Sequence, residues 1–205
     1  MNGWRLTGTL SLLLAAMSLG LAASHGWDIE GVRLAIRATA RTSLVLFALA
    51  FTASALAELM PSEVTRWQRR NRRYLGVSFA VSHFIHLGAI LVLASLDREL
   101  FWKLTNVTTI VLAGAAYLFI VAMAATSFDR TAAWLGPRKW RLLHLIGGWY
   151  IWISFAVAVG KRVPLDSFYW PMAILVLAIA VVRLIAMSRR SSQGSVPGAL
   201  GGGGR

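Results

Sequence analysis

Six stretches of this chain are apolar over lengths that suit a membrane-spanning helix, and this pattern limits its fold more than any other feature. A helix needs about 20 mostly apolar residues to cross the hydrocarbon core of a bilayer. Inside that core every backbone polar group must be bonded within the segment, which a helix does by itself. The sequence therefore predicts an all-α integral membrane bundle of six transmembrane helices, at Leu6–Ser24, Thr42–Ala57 (extended to about Met60), Tyr74–Leu96, Leu104–Phe128, Leu142–Gly160 and Ser167–Ser188.

The composition supports the membrane class and excludes several functions. Charged residues make up 14% of the 205 residues, against about 25% in a soluble domain. The net charge is +13, but the basic residues form short clusters between apolar spans, so we expect lipid contact and no nucleic-acid partner. The chain has no cysteine, which excludes disulfides, thiolate metal sites, iron–sulfur clusters and covalently attached haem.

The loop charges predict the orientation of the chain. Arginine and lysine are enriched in cytoplasmic loops of membrane proteins. We therefore expect a multi-pass protein of a bacterial-type inner membrane with both termini in the cytoplasm. The richer side carries Arg66, Arg69, Arg70, Arg72, Arg73, Arg130, Arg138, Lys139, Arg141, Arg189 and Arg190, and the other side Arg33, Arg37, Arg41, Arg98, Lys103, Lys161 and Arg162.

Three segments at the edges of this bundle allow more than one interpretation. The first span is either a retained helix, which its length favours, or a signal peptide. Arg33, Arg37 and Arg41 share one face of a helix over 26–41, which either lies in the interface and grips lipid headgroups or forms a cationic wall for an anionic ligand group. We assign residues 1–190 to the bundle and 191–205 to a disordered tail, whose final GGGGR is typical of a cloning remnant.

Three histidines fall inside predicted spans. His83 and His86 lie one turn apart on the third span, and His144 lies on the fifth, followed by Gly147 and Gly148. Imidazole is a common axial ligand of haem iron, and the two glycines would leave room for a flat cofactor. The same histidines also suit interhelical hydrogen bonds, a zinc site, or a proton relay, although the spans hold no central acidic residue to extend a relay.

Three motifs resemble the ferric-reductase-like transmembrane superfamily, and within it the haem-binding membrane subunits of methionine sulfoxide reductase systems (the MsrQ/YedZ group). They are "ARTSLVLFALAFTASALAEL", "RRYLGVSFAVSHFIHL" and "RKWRLLHLIGGWYIW", in the same order and at similar spacing over about residues 35–165. The resemblance implies haem b, with His86 and His144 as axial ligands and Arg41 near a haem propionate. It departs from the group at Val157, where a further histidine is common, and at His83, which is additional.

The pairing of axial ligands stays open between two candidates. Counted from Arg73 and Arg141, His83 lies closer in depth to His144 than His86 does, whereas the resemblance favours His86. We expect His144 to be the common partner of a single bis-imidazole haem.

The resemblance further implies transfer of electrons across the bilayer, as the membrane subunit of an oxidoreductase. The electrons would come from a flavin or quinone donor and pass to an acceptor on the far side, both separate proteins or small molecules. The arginines of residues 66–73 would dock an acidic reductase or a phosphate-bearing flavin, or simply set topology and bind anionic lipid. The alternative is a haem-free membrane scaffold or assembly factor, in which the histidines bond Ser82, Tyr150 or backbone groups.

Overall fold

The protein is described by a computed structural model that covers residues 2–194, with side chains to residue 192. Six of the helices in this part are long and apolar enough to cross a membrane, which confirms the predicted all-α membrane bundle. The helices are α1 (Trp4–Ala23), α2 (Ile29–Leu59), α3 (Glu63–Arg70), α4 (Arg72–Leu96), α5 (Arg98–Leu104), α6 (Val107–Ala125), α7 (Asp129–Leu135), α8 (Pro137–Gly160) and α9 (Trp170–Gly194), with a 3-10 turn at Ser167–Tyr169.

The second helix is much longer than the predicted second span. Asp28 caps its start by accepting a hydrogen bond from the Gly31 amide at 2.7 Å, and the helix ends at Leu59, just before Pro61. Its 31 residues span about 46 Å at 1.5 Å per residue, so it exceeds a hydrocarbon core of about 30 Å. Residues 26–41 therefore do not form a separate interfacial helix. Most of them belong to α2, because no helix-breaking residue separates them from the span.

Small polar side chains hold α2 against α4. Thr39, Ser43, Ser78 and Ser82 have no exposed surface. The Ser43 hydroxyl donates to the Ser82 hydroxyl at 2.9 Å, and Thr42 lies 3.3 Å from the same oxygen. Small residues let two membrane helices approach closely, and hydroxyls bond across the contact. This pair of helices forms the centre of the bundle.

The other long helices surround that pair. α1 and α9 pack on α2, α6 packs on α8, α8 packs on α9, and α6 also contacts α4. α1 is fixed at its start, where the Gly3 amide donates to Asn71 Oδ1 at 3.0 Å and Thr7 donates to the Tyr74 carbonyl at 3.2 Å. We call the end of the bundle that carries α3 and α7 the α3 end, and the end that carries α5 the α5 end.

Several predicted boundaries shift because capping residues and short helices divide the loops. Asn106 caps α6 by accepting from the Thr109 amide at 2.8 Å, so the fourth span begins at Val107 and not at Leu104. Pro137 begins α8 five residues before the predicted Leu142. Helix α9 continues to Gly194, into the predicted tail. The remainder of that tail, 195–205, lies outside the described residues.

We predict that Ser82→Ala destabilises the bundle, because the Ser43 hydroxyl loses its partner at a fully buried position. An interhelical hydrogen bond in a membrane protein contributes about 0.6 kcal/mol on average and up to about 1.7 kcal/mol. Unfolding by denaturant in detergent measures the loss. Ser95→Ala is the matched control, since Ser95 is exposed on the same helix and bonds only the carbonyl of Val92. Equal stability of both variants would contradict this account of the α2–α4 contact.

Candidate functional site

A cavity of about 420 Å³ opens among α2, α4, α6, α8 and α9 at the α3 end. Ligand sites in proteins commonly measure about 300–1,000 Å³. Its inner walls are apolar, and its outer part is basic. The lining includes Phe47, Ala50, Phe51, Gly76, Phe79, Ala80, Ile120, Met123 and Ile151, and towards the mouth Arg72, Arg73, Trp140, Arg141, His144, Arg183 and Arg190.

Two of the lining arginines have carboxylate partners. Arg73 pairs with Asp129, which links α4 to α7. The Arg73 guanidinium lowers the pKa of the Asp129 carboxyl through this hydrogen bond and its charge. Arg190 donates from Nε to Glu58 at 2.8 Å, which links α9 to α2.

The remaining buried charge at the cavity is not balanced. Arg72 donates to the Ser54 hydroxyl at 3.0 Å, and Arg183 lies 4.4 Å from the centre of the Phe51 ring. Among the described residues neither guanidinium has a carboxylate within ion-pair distance, and Arg183 Nε is buried without a hydrogen-bond partner. Buried charges are usually paired, and ionisable residues inside membrane spans usually mark functional sites. This cavity therefore has the electrostatics of an anion-binding site.

His144 lies in the wall of the cavity. Its ring stacks on Trp140, with ring centres 4.2 Å apart, and Trp140 donates to the Thr126 carbonyl at 3.0 Å. His144 Nε2 lies 3.4 Å from Thr126 Oγ1, which is long for a hydrogen bond between nitrogen and oxygen. The imidazole is thus oriented by its stacking on Trp140 and only weakly held at Nε2.

His83 and His86 lie together, away from this cavity. Their ring centres are 5.4 Å apart. His86 Nδ1 donates to the Ile36 carbonyl at 3.1 Å and lies 3.1 Å from Thr39 Oγ1. Tyr117 donates to the His83 carbonyl at 2.9 Å, while His83 Nδ1 is buried with no partner among the described side chains and backbone.

The structure does not bring His144 next to His83. His83 contacts Phe155 of α8, with ring centres 5.9 Å apart, and Phe155 lies eleven residues after His144 on that helix. At 1.5 Å per residue this is a difference of about 16 Å along α8. Helix α6 gives a similar value, since it meets His83 at Tyr117 and His144 at Thr126. His83 lies closer in depth to His144 than His86 does, as the residue count indicated, but the separation is too large for both imidazoles to bind one iron atom.

Gly147 and Gly148 serve helix packing and do not leave the open surface that we expected beside His144. A Cβ on Gly147 would lie 2.6 Å from Met123 Sδ, and one on Gly148 would overlap the ring of Phe51. Both glycines are buried in α8. They allow α8 to approach α6 and α2, as glycine commonly does in membrane helices.

Arg41 lies at the level of His86 and does not line the His144 cavity. Its guanidinium lies 4.3 Å from the centre of the Phe168 ring, and its Nε is buried without a partner in the described part of the chain. It borders an apolar groove between α1 and α2 that Leu10, Leu14 and Met17 also line. Any role near an anionic group would therefore concern the α5 half of the bundle.

Sequence reasoning missed the two arginines that define the cavity. Arg183 lies near the end of the predicted sixth span, where a long side chain can reach the membrane surface, but it turns inward over Phe51. Arg72 was counted only as a loop charge, and it begins α4 at the cavity wall. Arg183 carried a usable signal, since a charge four turns into an apolar span is rare without a function. Arg72 carried none, because nothing distinguishes it from its neighbours before the helices are placed.

Comparison with known proteins finds no matching family model, no matching curated protein and no matching solved structure. Residues 2–194 also contain no group of three or more histidine, aspartate and glutamate side chains placed to hold a metal ion. The case for a function therefore rests on the geometry and charge of the cavity and on the sequence motifs.

We predict that Gly148→Ala lowers the unfolding temperature in detergent, because the added Cβ overlaps the Phe51 ring in a buried contact. Overpacking of this kind costs about 1–3 kcal/mol. Gly88→Ala is the control, since Gly88 lies on an exposed face of α4 with open space around it. Phe51→Leu combined with Gly148→Ala should recover part of the loss. A Gly148→Ala protein as stable as Gly88→Ala would show that Phe51 does not pack there.

Proposed function

We propose that the protein binds haem b in the cavity at the α3 end and transfers electrons across the membrane. One observation carries the proposal: an imidazole, His144, lies in the wall of an apolar cavity that is also lined by two half-buried arginines, Arg72 and Arg183, without acidic partners among the described residues. Haem b requires these features, namely a nitrogen ligand, apolar walls for the macrocycle and cations for two propionates. The resemblance to the ferric-reductase-like superfamily supports the same function.

The residues at the cavity fit this group with one imidazole ligand. His144 would ligate the iron through Nε2 once it leaves its long contact with Thr126. Arg72 and Arg183 would pair with the propionates, since guanidinium groups bind carboxylates in a forked geometry. The residues do not fit the bis-imidazole pairing, because His83 lies about 14–16 Å further along the bundle than His144, and His86 lies one turn beyond His83.

The surrounding side chains give the site its further properties. When bound, haem b supplies a one-electron couple between ferric and ferrous iron. Phe47, Phe51 and Phe79 exclude water from the inner walls, which strengthens the electrostatic interaction between the arginines and the propionates. From Phe79, ring contacts continue to His83 at 5.4 Å and from there to Tyr117 at 5.0 Å. These packed rings offer a continuous route for electrons from the cavity towards the α5 end.

The arginine excess of the α3 end supports its placement in the cytoplasm of a bacterial-type cell, with both termini on that side. The six apolar helices contact membrane lipid. A flavin or quinone donor would deliver electrons near the cavity mouth, and an acceptor would meet the protein at the α5 end. Both are separate molecules or proteins in this proposal. The chain would then act as the membrane electron-transfer subunit of an oxidoreductase.

A haem-free scaffold or assembly factor is the second candidate, and specific contacts favour it. His86 already bonds the Ile36 carbonyl, and neighbouring side chains fill the space beside Gly147 and Gly148. The side chains expected to bond the histidines in a scaffold do not do so: Ser82 bonds Ser43, and Tyr150 bonds the Leu112 carbonyl. The two candidates differ in one simple observation, the visible spectrum of the purified protein.

We predict that the purified protein is red, with a Soret band that shifts on reduction with dithionite, and that His144→Ala loses most of its haem. The reason is that His144 is the imidazole of the cavity wall. The haem-to-protein ratio in detergent measures both effects. His25→Ala is the control, since His25 is exposed between α1 and α2. A colourless protein that takes up no added haemin would favour the scaffold.

We also predict that Arg183→Gln lowers the midpoint potential of the haem, because a positive charge near the propionates favours the ferrous form. The guanidinium interacts with the propionates in both oxidation states, so the shift reflects only the difference between its Coulomb energies with ferric and with ferrous haem. Redox titration measures the shift. Arg41→Gln is the comparison variant, as Arg41 lies at the level of His86, away from the cavity. A larger shift in Arg41→Gln than in Arg183→Gln would place the haem in the α5 half instead.

A further inference from the structure

The side chains of the cavity that could ligate a metal are unevenly distributed. His144 lies on α8, Met123 lies on the adjacent α6, and Thr126 and Ser127 directly follow α6. Met123 Sδ packs over Gly147, one turn from His144. These groups belong to the same α6–α8 side of the cavity. A second axial ligand must approach iron from the face opposite to the first, so Met123 is not placed to ligate opposite His144.

The facing side of the cavity is formed by α2 and α4 and consists of small and aromatic residues. Ala50, Gly76 and Ala80 line it, together with phenylalanines. A Cβ added at Gly76 would meet only the Ala50 Cβ, at 3.9 Å, so this position has room for additional atoms. Apart from the arginines at the mouth, which do not ligate metals at neutral pH, this wall presents no nitrogen or sulfur side chain.

The nearest other imidazoles are separated from this wall by packed residues. His83 lies on α4 two turns beyond Gly76, and Phe79 fills the space between them, in contact with the His83 ring at 5.4 Å. His86 lies one turn further and bonds the Ile36 carbonyl. Bringing His83 level with His144 would require α4 to slide by more than two turns, and His86 would have to move further still. The buried hydroxyl contacts of Ser43 and Ser82 oppose that movement.

We propose that His144 is the sole axial ligand in this cavity, and that the wall of Ala50, Gly76 and Ala80 leaves the opposite coordination position open to a small neutral ligand such as carbon monoxide or nitric oxide. This inference rests on the proposed haem function. A Cβ at Gly76 would make only an ordinary van der Waals contact with Ala50, so these small residues leave space beside this wall for a small ligand. The apolar surroundings favour an uncharged ligand over an anion, since a buried unpaired charge is costly.

Carbon monoxide added to the dithionite-reduced holoprotein tests the inference directly. We expect a shifted Soret band that saturates at one carbon monoxide per haem, and a high-spin ferric signal in electron paramagnetic resonance. A protein that retains haem but is low-spin and unchanged by carbon monoxide would overturn the inference and leave the proposed function standing. A protein that takes up no haemin would overturn the proposed function, and the inference with it.

Variants locate the open position within the protein. Ala80→Leu should retain haem but weaken carbon monoxide binding at least 10-fold, because its side chain fills the ligand space. Gly88→Leu, on an exposed face of the same helix, should leave binding unchanged. The double variant His83→Ala, His86→Ala should keep both the haem and the spin state of the parent protein. If that double variant loses haem or changes its spin state, one of these histidines is a ligand and the inference is wrong.

Discussion

The contact between α2 and α4 is the interaction on which the rest of the bundle depends. Its residues are small enough for the two helices to approach closely. The hydroxyls of Ser43 and Ser82 form a hydrogen bond there, and neither residue has exposed surface. In hydrocarbon the hydrophobic effect does not drive helices together, so close packing and hydrogen bonds must do so. The other long helices then pack around this pair, and the level of each side chain relative to α4 is set by where its helix begins.

That dependence explains which parts of the structure could be predicted from the sequence. Each apolar span is a local property, so the six membrane-spanning helices and their order followed from the apolar pattern along the sequence. The depth of His144 relative to His83 is not local. It depends on where each helix begins, as at Pro137, where α8 starts five residues before Leu142, and on how the helices pack against one another. Counting residues from the nearest arginine cannot supply either quantity, since an arginine can lie inside a helix as readily as at its end.

The glycines illustrate the same limit on a smaller scale. Gly147 and Gly148 next to a histidine predicted an open surface, and the residue type was informative in that both positions exclude a side chain. The sequence did not show what occupies the space. Phe51 and Met123 belong to other helices, α2 and α6. A close contact between helices and a cleft for a cofactor therefore give the same local sequence pattern of glycines beside a histidine. Gly76, on α4, is the glycine that lines the cavity.

The charges at the α3 end separate into two groups with different consequences. Arg73 and Arg190 are paired with acidic residues and join helices at the membrane surface, where exposed ion pairs contribute little to stability. Arg72 and Arg183 are held at the cavity by Ser54 and by the ring of Phe51. Neither partner neutralises a charge, so in a medium of low dielectric constant these two groups remain costly until an anion approaches. A fold that served only as a scaffold would gain stability by replacing Arg183 with an apolar residue of similar volume. The position of this guanidinium beside Phe51 is therefore better explained by binding of an anionic group than by packing, and His144 on the neighbouring wall is the second observation that supports the proposed haem site.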